Sequence, residues 1–237
     1  MMSNQRDHQA IFVLLLLTVF FGSSCSNSKQ AMVEAPPPAY QPTPSSPQVR
    51  LPSVIAPKLA EVQEAVRRVF KDSAAIDTTT TPNFLTGDFN GDQSEDLAVV
   101  LKPIAGKLAA MNEEYPAWLL RDPSQGNPGE RPKVNIQEDE AMLAIIHGFG
   151  ENDWRDPQAT QTFLLKNVTG SNMAVLTGKD FSSKHSGRKL PRPAGDLIEE
   201  TVRGTTGCLY YSSANYLWYD PKTFKPKPDA GMVHGGR

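Results

Sequence analysis

The chain has 237 residues, with 24 Lys and Arg against 26 Asp and Glu and a formal net charge of −2 at pH 7. No basic stripe runs along it, which excludes the electrostatic footprint of a nucleic-acid-binding protein. Its two cysteines, Cys25 and Cys208, are too few for a disulfide framework if either one is otherwise engaged.

At the N-terminus a short polar stretch contains Arg6, partly offset by Asp7, and leads into a twelve-residue apolar run from Ala10 to Phe21. A membrane-spanning helix needs roughly 20 apolar residues, so this run reads instead as the apolar segment of a secretory signal. Gly22-Ser23-Ser24 supply small residues for cleavage, directly before Cys25. The arrangement resembles the lipobox of bacterial lipoproteins, with Gly22 standing where Leu is usual. That resemblance implies removal of residues 1–24 and acylation of Cys25 as the first mature residue. It also implies a cell-envelope location held to the membrane by lipid. Ser26 lacks the Asp that retains enterobacterial lipoproteins in the inner membrane, which favours the outer membrane if the source is Gram-negative. The alternative is an ordinary secretory signal in which Cys25 is incidental.

Residues 25–56 shift to Pro, Ser, Gln and Ala, with Pro36-Pro37-Pro38, Pro42, Pro44, Pro47 and Pro52. Such a segment buries too little apolar surface to fold, and its prolines favour an extended helix rising about 3.1 Å per residue. It reads as a disordered stalk. A proline-rich ligand for a partner domain is the rival reading, without a sharp motif behind it.

From Pro57 to residue 72, Leu59, Val62, Val66, Val69 and Phe70 recur at helical spacing, while Glu61, Glu64, Arg67, Arg68 and Lys71 take the other face. Short apolar runs then follow one another, separated by Gly, Pro, Asn and Asp. They predict strands at Phe84–Thr86, Leu97–Leu101, Ala117–Leu120, Met142–Ile146, Thr162–Lys166, Ala174–Leu176, Leu197–Val202, Cys208–Tyr211 and Tyr216–Tyr219. Hairpins are expected around the Asp-rich loop 88–96 and around Ser212-Ser213-Ala214-Asn215. The expected fold is α+β: an N-terminal amphipathic helix packed on a mostly antiparallel sheet of short strands, forming one domain over residues 57–222. Residues 223–237 read as a disordered tail. Cys208, in an aromatic strand, reads as a buried inert thiol.

Residues 87–100 carry the most specific chemistry, as Gly-Asp-Phe-Asn-Gly-Asp-Gln-Ser-Glu-Asp-Leu-Ala-Val-Val. Asp88, Asn90, Asp92 and Asp96 stand at positions 1, 3, 5 and 9 of a tight loop, and the Ser94 carbonyl at position 7 adds a fifth oxygen. Calcium takes six to eight oxygen ligands, and crowded carboxylates repel one another without a cation. Position 12 is Val99, so the spacing fits neither an EF-hand nor a dockerin-type loop. The flanking strands make the loop the tip of a β-hairpin, and it resembles the calcium loop of FG-GAP and VCBS-type repeats. That resemblance implies a structural Ca2+ held by Asp88, Asn90, Asp92, Ser94 and Asp96. Only one copy occurs, so the hairpin carries over and the propeller does not. Gln93 replaces the glycine usual at position 6, where a positive φ is expected at a cost on the order of 1 kcal/mol. The alternative is a hairpin turn whose carboxylates bond only backbone amides.

Met142–Gly150 runs from an apolar strand into His147-Gly148-Phe149-Gly150, similar to the oxyanion-loop region of α/β-hydrolases, but the chain contains no Gly-x-Ser-x-Gly elbow. No histidine pair has zinc-ligand spacing. The acidic pairs Glu113-Glu114, Glu138-Asp139-Glu140 and Glu199-Glu200 read as solvated charge. The functional expectation is a non-enzymatic binding or structural module of the envelope, with an unknown protein or cell-wall partner. A small hydrolase around His147, Asp153 and Asp156, or an accessory subunit of an envelope complex, are the alternatives.

Overall fold

The computed structural model describes residues 56–113, 118–125, 133–186 and 190–225. All belong to one of the two units into which the chain divides, Val54–Arg237. The expected signal peptide, Cys25, the stalk up to residue 55 and the tail from residue 226 lie outside the described residues.

Lys58 is still extended (φ −93°, ψ 140°), so the first helix, α1, begins at Leu59 and runs to Phe70. Glu61 accepts the Lys58 amide at 3.3 Å, which covers one of the free donors at the helix start. Val62, Ala65, Val66, Val69 and Phe70 are buried, an i, i+3, i+4, i+7, i+8 stripe along one side. Lys71, at a φ of 55°, ends the helix and turns the chain into β1 (Ala74–Ile76).

Then follow β2 (Phe84–Gly87), β3 (Asp96–Pro103), the single turn α2 (Leu108–Met111), β4 (Leu119–Arg121), β5 (Met142–Ile146), β6 (Thr162–Leu165), β7 (Ser171–Leu176), α3 (Gly178–Lys184), β8 (Leu197–Val202), β9 (Thr205–Ser212) and β10 (Asn215–Tyr219). Two sheets form where the sequence reading expected one. The first is six-stranded in the order β1-β3-β5-β6-β4, with β2 also on β3, and the second is β10-β9-β8-β7. Every pairing is antiparallel except β4 with β6.

Side-chain alternation explains the second layer. Along β3, Leu97, Val99 and Leu101 join a cluster with the α1 stripe, whereas Ala98 and Val100 join one with Ile198, Leu209 and Tyr216 of the second sheet. Met142, Ala144 and Ile146 of β5 likewise face α1, and Leu143 and Ile145 face the second sheet. A strand covered on both faces needs apolar side chains at every position. A third cluster, with Phe181 of α3 against Leu197, Cys208, Tyr210 and Tyr219, covers the outer face of the second sheet. Phe224 packs against that cluster too, so packed residues extend past the expected boundary at 222. The layers are thus α1, first sheet, second sheet, α3.

Three elements have no counterpart in the sequence reading: β1, α2 and α3. All are short, and α3 is fixed by its cap, where the Thr177 hydroxyl oxygen accepts the Asp180 amide at 3.1 Å. Both expected hairpins form, the second turning on Ser213 and Ala214 at φ values of 51° and 59°.

Candidate metal site in the 88–96 loop

Gly87 and Asp96 are register partners at the ends of β2 and β3, so residues 88–95 must reverse the chain between them. The acidic and amide side chains do this by bonding the backbone of their own loop. Asp88 Oδ1 accepts the amides of Gly91 (2.8 Å) and Asp92 (3.1 Å), and its Oδ2 accepts that of Gln93 (3.0 Å). Asn90 Oδ1 takes the Asp92 amide and Asp92 Oδ1 the Ser94 amide, each at 2.9 Å. Asn90 Nδ2 donates to Asp92 Oδ2, also at 2.9 Å. Gln93 adopts a φ of 73°, the left-handed conformation expected at its position.

Asp96 is fully buried at the foot of the loop. Its Oδ2 accepts the amides of Phe89 (2.8 Å) and Asn90 (3.1 Å), and its Oδ1 that of Gly148 (2.7 Å). Glu95, next to it, ties the loop to the segment after β5. Its amide donates to Asp153 Oδ1 at 2.9 Å, its carbonyl accepts the Trp154 amide at 3.0 Å, and its carboxylate meets Trp154 Nε1 at 2.9 Å and Arg155 at 3.3 Å.

The opposite flank is closed by Ala194-Gly195-Asp196, the strap leading into β8. The Asp196 amide donates to the Asp88 carbonyl at 2.7 Å, and the Asp88 amide donates to Asp196 Oδ2 at 3.3 Å. Gly195 has no room for a Cβ against the Asp88 carbonyl, and Gly91, at a φ of 79°, has none against the Ala194 carbonyl. Two glycines therefore let two backbones touch. Asp196 brings a fourth carboxylate to Asp88, Asp92 and Asp96, from a hundred residues further along the chain, where no local pattern announces it.

These four carboxylates lack counter-charge: among the described residues no Lys, Arg or His forms an ion pair with any of them. Burial pushes the Asp96 carboxyl up to about 7 against the pull of its three amides, and the negative charge of Asp92 adds to the rise. Burial also raises Asp196, with Asp88 adding to it. The field reaches the aromatic residues nearby. Tyr216 is raised well above its usual value by burial first and then by Asp96, with Asp88 and Asp92 contributing.

The donor chemistry suits a hard cation. A carboxylate or carbonyl oxygen has two lone pairs, and each of the five expected ligand residues keeps an oxygen with a free one: Asp88 Oδ2, Asn90 Oδ1, Asp92, the Ser94 carbonyl and Asp96 Oδ1. The side chains face their own amides, however. Among the described residues no group of three His, Cys, Asp or Glu is gathered so as to hold a metal ion.

His147 lies beside this loop, 3% exposed, with Nε2 and the Tyr216 hydroxyl 2.9 Å apart. Phe163 and Tyr211 pack on its ring, each with centroids 5.4 Å away. Burial holds it down to about 4, so it is neutral at pH 7. Asp153 and Asp156 are not joined to it by any hydrogen bond: Asp153 accepts the Glu95 amide and Asp156 the Gln158 amide. His185 follows α3 and packs its ring tilted against Phe181 and edge-on to Tyr219. Cys208 is buried, its thiol pushed up to about 12. One expectation is overturned. Glu199 is partly exposed and pairs with Lys184, but Glu200, expected in solvent, is 1% exposed, because alternation along β8 turns it to the face opposite Glu199.

Compared with family models, curated proteins and solved structures, the chain matches none. Among the described residues no helix is long and apolar enough to cross a membrane.

Proposed function

We propose that this chain is a lipid-anchored lipoprotein of a bacterial cell envelope, with the outer membrane its favoured destination if the source is Gram-negative. Its domain is a non-enzymatic binding or structural module stabilised by one calcium ion in the 88–96 loop. The anchor rests on the sequence alone, on the apolar run, the small residues and Cys25. The calcium reading rests on one observation above the others: Asp88, Asp92 and Asp96 of the loop and Asp196 of the adjoining strap have no basic partner among the described residues. A divalent cation would relieve that repulsion. Asp88, Asn90, Asp92 and Asp96 would hold it by their side chains and Ser94 by its carbonyl. In this reading α1 is the amphipathic helix that closes one face of the first sheet, and the ion stiffens the β2–β3 hairpin at its tip.

A second reading has its own support. The loop oxygens already accept eight hydrogen bonds from seven backbone amides, which describes a self-capped turn that folds without metal. Calcium titration of the full chain in detergent, by calorimetry and by thermal melting, separates the two. At ten times the dissociation constant, bound calcium adds about 1.4 kcal/mol. The melting temperature should rise with calcium and fall with chelator, and Asp92→Ala should abolish the difference. If the wild-type chain melts identically in calcium and in chelator, the self-capped turn is the correct reading.

A further inference from the structure

The strand β1 lies at the edge of the first sheet, and its register leaves part of its backbone facing outward. The Ile104 amide donates to the Ser73 carbonyl at 2.9 Å and the Asp77 amide to the Val100 carbonyl at 2.8 Å. Ser73–Ile104 and Asp77–Val100 are therefore hydrogen-bonded positions of the antiparallel ladder, and such positions alternate with non-bonded ones. Ala74 opposite Pro103 and Ile76 opposite Leu101 are the non-bonded pairs. Their amides and carbonyls point away from β3, and no group among the described residues bonds them.

This free edge borders a groove of about 280 Å³ between β1 and α1. Leu59, Val66, Ala74 and Ile76 give it apolar walls, and Leu59 is left 49% exposed at its mouth. Among the described residues Arg67 and Lys71 are its only charged lining, and no acidic side chain lines it. Arg67 is shared with Glu64 on the helix at 2.8 Å, whereas Lys71 has no ion pair among the described residues.

An unpaired strand edge, an apolar wall beside it and a cation without an ion pair together suit strand addition, in which the backbone supplies affinity and alternate side chains supply selectivity. We propose that this groove takes an extended peptide segment of a partner protein as an added strand on β1. The segment is aliphatic at alternate positions, where its side chains meet Leu59 and Val66, and carries a carboxylate that meets Lys71 and Arg67. A second copy of this chain is disfavoured, since it presents the same cationic rim. The proposal goes beyond the calcium and anchor readings and depends on neither.

The test is display of random dodecapeptides on phage against the purified full chain in detergent. Enriched peptides should alternate aliphatic residues and carry Asp or Glu. A synthetic peptide of the selected sequence should bind at least tenfold more weakly to the double variant Arg67→Glu, Lys71→Glu, whose changes lie at exposed positions on α1 and at its C-terminal cap. It should also weaken with Ala74→Pro, which removes an outward amide and no bond to β3. Amide exchange on the unaltered chain gives a readout free of any folding defect: the Ala74 and Ile76 amides should become protected when the peptide binds. Failure to enrich any peptide, equal binding to the charge-reversed form, or protection elsewhere overturns the proposal. So does dimerisation through this edge.

Discussion

Glu200 accepts the Gly170 amide on Oε2 at 2.8 Å, while Oε1 of the same buried carboxyl has no partner among the described residues. Burial therefore outweighs the single hydrogen bond and pushes the group from 4.5 to about 8. The unfolded chain releases this proton near pH 4.5, and the folded chain keeps it until about pH 8. The contribution to stability is thus complete below about pH 4.5 and declines as pH rises through that window, by up to about 1.4 kcal/mol per pH unit. Glu200→Gln keeps an acceptor for Gly170 and has nothing to ionise. Urea denaturation at pH 5 and pH 8 should show a flatter pH dependence for the variant and a gain in stability at pH 8. Parallel profiles for the two proteins would mean that Glu200 is ionised in the fold.

The loop tip offers a test of opposite sign. Gln93 holds a φ of 73°, a conformation that strains any residue with a Cβ. Gln93→Gly should stabilise the chain by about 0.5–1 kcal/mol, the relief of strain being partly offset by the greater freedom of glycine when unfolded. In the calcium reading the same change also tightens calcium binding, because the loop reaches its turn without strain. A lower denaturant midpoint would show that the Gln93 side chain contributes more than its backbone costs.

His147 Nε2 and the Tyr216 hydroxyl stand 2.9 Å apart inside the aromatic box. Tyr216→Phe leaves the ring nitrogen of His147 buried without its partner, at a cost of about 1–3 kcal/mol. His147 itself sets an acid limit. The unfolded chain takes up a proton near pH 6.5, and the folded chain resists until about pH 4, so stability falls as pH drops through that range. The loss from Tyr216→Phe should appear at pH 7 as a shift in urea midpoint. An unshifted midpoint would mean that the hydroxyl and the imidazole are each satisfied elsewhere.

The sequence makes some of this architecture plain and hides the rest for identifiable reasons. The α1 stripe repeats over two full turns, so its period is unambiguous even though Lys58 delays its start. The continuous runs Leu97–Leu101 and Met142–Ile146 look like strands of one sheet, yet their lack of polar alternation is the mark of burial on both faces and hence of a second sheet. Read that way, they would have corrected the single-sheet expectation. β1 has only Ala74, Ala75 and Ile76, too few for a period. At the loop, alternate Asp and Asn residues announce a shared turn and the position of its positive φ. Asp196 reaches the same turn through tertiary packing alone, and Glu200 is a polar residue on a buried face, which local composition reads as exposed.

The clasp around residues 88–96 also fixes an order of events. One jaw is Gly148 to Arg155, and the other is Ala194 to Asp196. The loop is made early on the ribosome, but its second jaw arrives only after a further hundred residues. Until then the acidic tip has neither the Gly195 backbone against Asp88 nor the Asp196 amide on the Asp88 carbonyl. Its closure reports completion of most of the chain, and an unfinished chain ending before residue 194 carries the loop unfastened on one side.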